Sequence, residues 1–192
     1  MTRGKQSDHY TRRARKEGRP ARSVYKLQEI DEKHKILRAD AHVLDLGCSP
    51  GSWIQYAAER VGSGGRALGF DLKPIEVSLP AHAEAYVGDA FELREELEHA
   101  FDVILSDMAP ATSGDRKTDA LRSAGLVERA LDVADAQLKP GGSVVLKVFE
   151  GGDVPLLVKR MQGAFEKVVR ARPDATRKHS VEIFLVGLRK RA

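Results

Sequence analysis

Short apolar runs that alternate with helical stretches constrain this chain more than any other feature. AHVLDLG, RALGFDL, AEAYVGD, FDVILSD and GGSVVLKVF read as strands, in that order along the sequence. GSWIQYAAERVG reads as a helix after the first of them, and FELREELEHA as a short acidic helix after the third. The clearest helix spans Thr118 to Leu138: Leu121, Ala124, Val127, Leu131, Ala134 and Leu138 form one apolar stripe. Thr118 can cap it, and Lys139-Pro140-Gly141 ends it. A helix around Val154 to Gly163 leads to two closing strands, EKVVRAR and SVEIFLVGL, too close together for a helical crossover. Strands alternating with helices predict βαβ units and a parallel sheet covered on both faces. The expected fold is α/β: a Rossmann-like, doubly wound, mostly parallel seven-stranded sheet with one antiparallel edge strand.

The chain has 192 residues, which suits one domain, and 42% hydrophobic with 31% charged residues argues against general disorder. The expected division is a basic N-terminal arm over residues 1–21 and a single domain over 22–192. The segment RSVYKLQEIDEKHKIL opens that domain as a helix, with Val24, Leu27 and Ile30 at helical spacing. No apolar run approaches the roughly 18 residues needed to span a bilayer, so no membrane partner is expected. Cys48 is the single cysteine, which excludes an internal disulfide and points to a reducing cytoplasm. No long heptad run suggests an oligomer, so a monomer is expected.

Net charge is only +4, but its distribution is uneven. Nine lysines and arginines lie between Arg3 and Lys26, against Asp8 and Glu17 alone. A second cluster, Arg170, Arg172, Arg177, Lys178 and His179, lies near the other end. Two such clusters point to a polyanion, and so to nucleic acid.

In open α/β sheets the ligand sits outside the carboxyl ends of the strands. Those ends carry Asp45 and then Gly47, Pro50 and Gly51 in the first strand, and Asp71, Asp89 and Asp107 in the next three. The fifth carries Lys147, an ammonium group inside an otherwise apolar run, which is costly to bury without a partner. One aspartate after a strand is an ordinary turn residue; a series at one edge needs another explanation. The first turn reads D-x-G-x-x-x-G and lacks the second glycine of the dinucleotide fingerprint G-x-G-x-x-G. That disfavours a nicotinamide-dependent oxidoreductase. Asp71 falls about 20 residues after the turn, where a carboxylate can accept both hydroxyls of a ribose. Asp89 could bind the amino group of an adenine. An adenosine cofactor without pyrophosphate, S-adenosyl-L-methionine, fits best. Gly51 at the turn and Trp53 just after it are expected beside that cofactor, and nothing calls for a metal ion.

DLGCSPGSW, DLKPIE, SDMAPATSG, VLKVFEGG and RKHSVEIFLV together resemble the FtsJ/RrmJ family of ribosomal RNA ribose 2′-O-methyltransferases. YTRRARKEGRPARSVYKLQEI is similar to that family's opening segment, so the resemblance runs from about Asp8 to the end. It implies methyl transfer from S-adenosyl-L-methionine to a uridine of large-subunit (23S) rRNA within a ribosomal particle. It also implies a catalytic set of Lys26, Asp107, Lys147 and Glu182, with Asp107 lying near the methyl donor as well. In that set Lys147 would take the 2′-hydroxyl proton or only position the hydroxyl. Lys26 would support it, while Asp107 and Glu182 would orient the lysines or the ribose. Two alternatives remain from the sequence: a tRNA 2′-O-methyltransferase, and a catalytically silent RNA-binding assembly factor.

Overall fold

A computed structural model of the chain describes residues 9–92 and 100–192. Two helices come first, α1 (His9–Lys16) and α2 (Val24–His34). The alternating unit follows: β1 (His42–Leu46), α3 (Ser52–Val61), β2 (Arg66–Asp71), β3 (Ala83–Val87), β4 (Phe101–Ser106) and α4 (Arg116–Gln137). It continues through β5 (Leu138–Phe149), α5 (Val154–Ala164), β6 (Phe165–Ala171) and β7 (Glu182–Lys190). The expected acidic helix over FELREELEHA falls on residues 93–99, outside the described residues.

The strands form one seven-stranded sheet in the order β3-β2-β1-β4-β5-β7-β6. All neighbouring pairs from β3 to β5 are parallel, while β7 runs antiparallel to both β5 and β6. The expected antiparallel strand is thus present, one place in from the edge rather than at it. Burial explains the placement: Ile183 to Leu188 of β7 are all buried, whereas β6 alternates Glu166, Lys167 and Arg170 with partly covered residues. The apolar strand takes the interior position and the charged one protects the edge.

Two hydrophobic layers sandwich the sheet. On one face α4 and α5 pack Leu131, Ala134, Leu157 and Met161 against Leu44, Ile104 and Leu146. On the other, α2 and α3 pack Leu27, Ile30, Trp53 and Ala57 against Val43, Leu105, Val145 and Phe184. Helix α1 joins this second layer through the buried Ala14 and the partly buried Tyr10.

Helix α4 departs from expectation at both ends. Asp115 is its N-cap, its carboxylate accepting from the Thr118 backbone nitrogen at 3.0 Å, and the Thr118 hydroxyl also donates to it. A carboxylate is the stronger acceptor and sits three residues before the donor it satisfies, so it displaces the threonine. Leu121, expected in the stripe, is exposed, because Ser123, Ala124, Val127 and Ala130 set the inward face. Leu138 has already left the helix and opens β5.

Candidate active site

The β5–β7 register answers why a lysine sits inside an apolar strand. Lys147 pairs with Phe184, and Phe149 with Glu182, so Lys147, Phe184 and Glu182 project from the same face of the sheet. Asp107 follows β4, whose Ser106 pairs with Leu146 of β5, and this places it beside Lys147. Lys147 is 8% exposed, and its ammonium lies 2.8 Å from Asp107 Oδ1. The same nitrogen donates its aligned hydrogen bond to the Asp107 carbonyl, so the carboxylate contact is an ion pair rather than a directed hydrogen bond. Lys26 descends from α2 onto this face, forms an ion pair with Glu182, and lies 5.9 Å from the centroid of the Phe184 ring. Two lysines and two carboxylates from α2, β4, β5 and β7 thus form adjacent, largely buried pairs. The burial cost that makes a lone Lys147 implausible is offset by Asp107.

Next to this cluster, Gly47, Phe70, Asp71, Gly88, Asp89 and Met108 line a cavity of about 230 Å³. Asp71 is held by backbone, Oδ2 accepting from Ser49 N at 3.0 Å and Oδ1 from Lys73 N at 2.9 Å. Asp89 Oδ1 accepts from Phe91 N at 2.9 Å. Each carboxylate oxygen retains a lone pair for a further donor. Gly47 has φ +78°, and a Cβ there would lie 2.8 Å from the Met108 backbone nitrogen. The turn that opens the cavity therefore admits glycine alone. Gly51, with φ +114°, closes the same turn by donating to the Cys48 carbonyl at 2.7 Å.

Trp53, expected beside the cofactor, does not line this cavity. Its indole is buried, donates to the Ser23 carbonyl at 2.9 Å and packs 5.8 Å from the Phe184 ring. It supports the start of the helix that carries Lys26. A larger cavity, about 420 Å³, lies at the opposite edge of the sheet among Lys35, Arg38, Asp102 and Gly142. It holds none of the strand-end carboxylates, so chemistry and not size locates the site. Among the described residues no group of histidine, cysteine, aspartate and glutamate is arranged to hold a metal ion.

The two basic clusters, far apart in sequence, meet in space. Arg22 donates to the Ala175 carbonyl and lies 5.4 Å from the Tyr10 ring. Glu29 accepts from the backbone nitrogens of Asp174 and Ala175. Several cations of the N-terminal segment are used internally: Arg13 pairs with Glu17 at 2.8 Å and Arg19 with Glu59 at 2.6 Å. Tyr25 donates to Glu17 at 2.8 Å, and burial together with that carboxylate pushes its hydroxyl up to about 12. Arg12, Arg15 and Lys16 stay exposed on α1, and Arg177, Lys178 and His179 on the loop before β7.

Sequence reasoning named the four lysine–carboxylate residues, Asp71 and Asp89, and the structure brings them to one edge of the sheet. It did not single out Asp45 as a site residue, nor Asp31 and Asp119. Asp119 accepts from Ser113 N, Ser113 Oγ and Gly114 N, and so holds the loop that follows Asp107. An aspartate inside a helix carries no signal of such a task; only its hydrogen-bond partners in the folded chain reveal it.

A doubly wound sheet of this order, with acidic strand ends beside a glycine turn, is the Rossmann-like fold of methyltransferases. The chain belongs to the FtsJ-like methyltransferase family, whose model matches residues 20–190. It is 49% identical over 188 residues to the ribosomal RNA large subunit methyltransferase E of Desulfatibacillum aliphaticivorans, covering 96% of this chain and 91% of that one. It is likewise 49% identical over 191 residues to the protein of that name from Bdellovibrio bacteriovorus, covering 96% and 97%. A crystal structure described as a Plasmodium falciparum ribosomal RNA methyltransferase superposes with a TM-score of 0.75 at 27% identity, covering 88% of this chain and 97% of the other.

Proposed function

We propose that this protein transfers a methyl group from S-adenosyl-L-methionine to the ribose 2′-hydroxyl of a uridine in large-subunit (23S) rRNA. Its substrate would be the 50S particle, met in the cytoplasm by a monomer. The observation that carries this reading is the buried Lys147, held by Asp107 and flanked by the Lys26–Glu182 pair. A ribose hydroxyl is a poor nucleophile until its proton is taken or its oxygen is held in line. The relatives' names supply the RNA class.

The residues present fit the expected cofactor. Asp71 would accept from its ribose hydroxyls and Asp89 from its adenine amino group, while the glycine turn leaves room that a Cβ would fill. The cofactor supplies an electrophilic methyl group. Lys147 would accept the 2′-hydroxyl proton, with Asp107 fixing its nitrogen and Glu182 holding Lys26 beside it. The basic surface formed by α1 and the 173–180 loop would bind phosphates, positioning RNA without reading its bases.

The test is incubation of the purified protein with tritiated S-adenosyl-L-methionine and unmethylated large particles, free rRNA or tRNA. Label in alkali-resistant dinucleotides from the particles is the expected result. Label only in tRNA would replace the substrate, and cofactor binding without label on any RNA would leave an assembly factor. In the same samples Gly47→Ala is expected to weaken cofactor binding about tenfold or more, the equivalent of 1–3 kcal/mol of strain. Calorimetric titration reads it, and an unchanged affinity would remove the glycine turn from the site.

A further inference from the structure

Among the described residues, the buried carboxylates Asp31 and Asp119 are satisfied and Asp45 is not. Asp31 accepts four hydrogen bonds and Asp119 three. Asp45 is 1% exposed, and neither of its oxygens has a hydrogen-bond partner among the described residues. An ionised carboxylate in that state costs several kcal/mol, so the group keeps its proton unless a positive charge arrives.

Its neighbours make the position more pointed. Asp45 in β1 pairs with Gly69 of β2 on one side and Leu105 of β4 on the other. Asp71 and Asp107 lie two residues beyond those partners, so all three carboxyl groups project from the same face of three adjacent strands. Lys147 of β5, on that same face, is engaged with Asp107. From the turn after β1, Cys48 presents a buried thiol, held in its neutral form first by that burial. From α3 the Ile54 backbone N–H faces the carboxyl as a weak opposing influence, outside hydrogen-bonding geometry. Burial raises the Asp45 carboxyl well above the usual carboxylate range, and the charges of Asp107 and Asp71 add to it.

We propose that Asp45 is the residue by which the site distinguishes the sulfonium methyl donor from its product, which lacks the sulfonium charge. It holds a proton in the cofactor-free protein and releases it to solvent when a sulfonium cofactor binds beside the three carboxyl groups. The inference rests on S-adenosyl-L-methionine being the donor. Donor and product, S-adenosylhomocysteine, share the same adenosine, ammonium and carboxylate and differ by one methyl group and one positive charge. Only the donor compensates an ionised Asp45. After transfer the positive charge is gone, the carboxyl takes up a proton again, and the product loses that part of its hold.

Titration calorimetry in two buffers of different ionisation enthalpy tests this without turnover. The expected result is release of close to one proton per donor bound near pH 7 and little for the product. Donor affinity should then rise by about tenfold per pH unit while product affinity stays flat. Asp45→Asn, close to the same shape, should abolish the proton release and narrow the preference for donor over product. Equal proton release for the two ligands, or release that persists in the variant, would overturn the proposal. If the variant fails to fold, the donor–product comparison on the native protein decides alone. Binding of neither ligand would overturn the methyltransferase reading as well, which separates the two failures.

A second measurement needs no cofactor. A carboxyl raised in the folded state contributes stability below its unfolded value, and that contribution is lost as pH rises toward the folded one. The melting temperature of Asp45→Asn relative to the native protein should therefore climb from pH 4 to pH 8. A difference independent of pH would count against a protonated Asp45.

Discussion

Lys147→Ala should lower single-turnover methyl transfer by about 10²–10⁴-fold, the range of a positioned acid or base, while cofactor affinity changes only a few-fold. The lysine lies with its nitrogen 2.8 Å from Asp107 Oδ1, whereas the cavity that carries Asp71 and Asp89 is built from other residues. The substitution removes the group that would meet the ribose hydroxyl and leaves that cavity intact. It also leaves Asp107 without its cation beside Asp71 and Asp45, so a small loss of donor affinity could be offset by stronger attraction of a sulfonium. Lys147→Arg is the sharper control: it keeps the charge but its planar fork cannot reproduce a single ammonium position. A rate within tenfold of the native protein for both variants would remove Lys147 from the chemistry. A rate that does not change with pH in the native protein would leave it a positioning role only.

Asp31→Ala should cost about 3–5 kcal/mol, the scale of removing one member of a buried, hydrogen-bonded charge network. Asp31 is 1% exposed. Its Oδ1 accepts from the backbone nitrogens of Ile36 and Leu37 at 3.0 and 2.8 Å. Its Oδ2 accepts from the Tyr56 hydroxyl at 3.0 Å and from Arg60 Nε at 3.2 Å. One carboxylate therefore closes the end of α2, where the chain turns through the left-handed Lys35, and ties it to α3. Alanine strands two amides and a hydroxyl in the interior. For a domain of this size the melting temperature should fall by roughly 10 °C. Thermal unfolding followed by circular dichroism measures it, and a fall under about 2 °C would show that water replaces the carboxylate at little cost. Asp31→Asn should lose less, since its carbonyl oxygen can still accept from the two amides.

Much of the fold was legible because strands and helices announce themselves over short distances. Alternating apolar runs and the glycine turn after β1 are local signals that place their elements within a residue or two, whereas Lys139-Pro140-Gly141 marks the end of α4 but lies inside β5, which starts three residues earlier than its apolar run. The cap of α4 was misread for a related reason: Asp115 and Thr118 are both good caps, and the winner depends on which carboxylate or hydroxyl meets which amide. Leu121 looked like core because its spacing fits a helix, but spacing does not say which face turns inward.

The site divides along the same line. Asp71, Asp89, Asp107 and Lys147 could be picked out because a parallel sheet puts every strand's carboxyl end on one edge, a property of topology readable from strand order. The pairings could not. That Lys147 holds Asp107 while Lys26 holds Glu182 follows from the β5–β7 register and from the packing of α2 on this face of the sheet. Trp53 follows the glycine turn, a local signal for a place beside a cofactor, but only the structure shows that its N–H donates to Ser23 and its ring packs on Phe184.

What the sequence determined by itself was the kind of sheet, the edge at which the acidic strand ends gather and the residue types found there. Hydrophobic periodicity and turn chemistry act between near neighbours, so a single chain records them. Only the tertiary structure decided which charges neutralise one another, which basic clusters share a surface, and that the buried Asp45 has no hydrogen-bond partner among the described residues. Those depend on distances between residues far apart in the chain, and in a low-dielectric interior an ångström or two of distance determines whether a charge is paired or protonated.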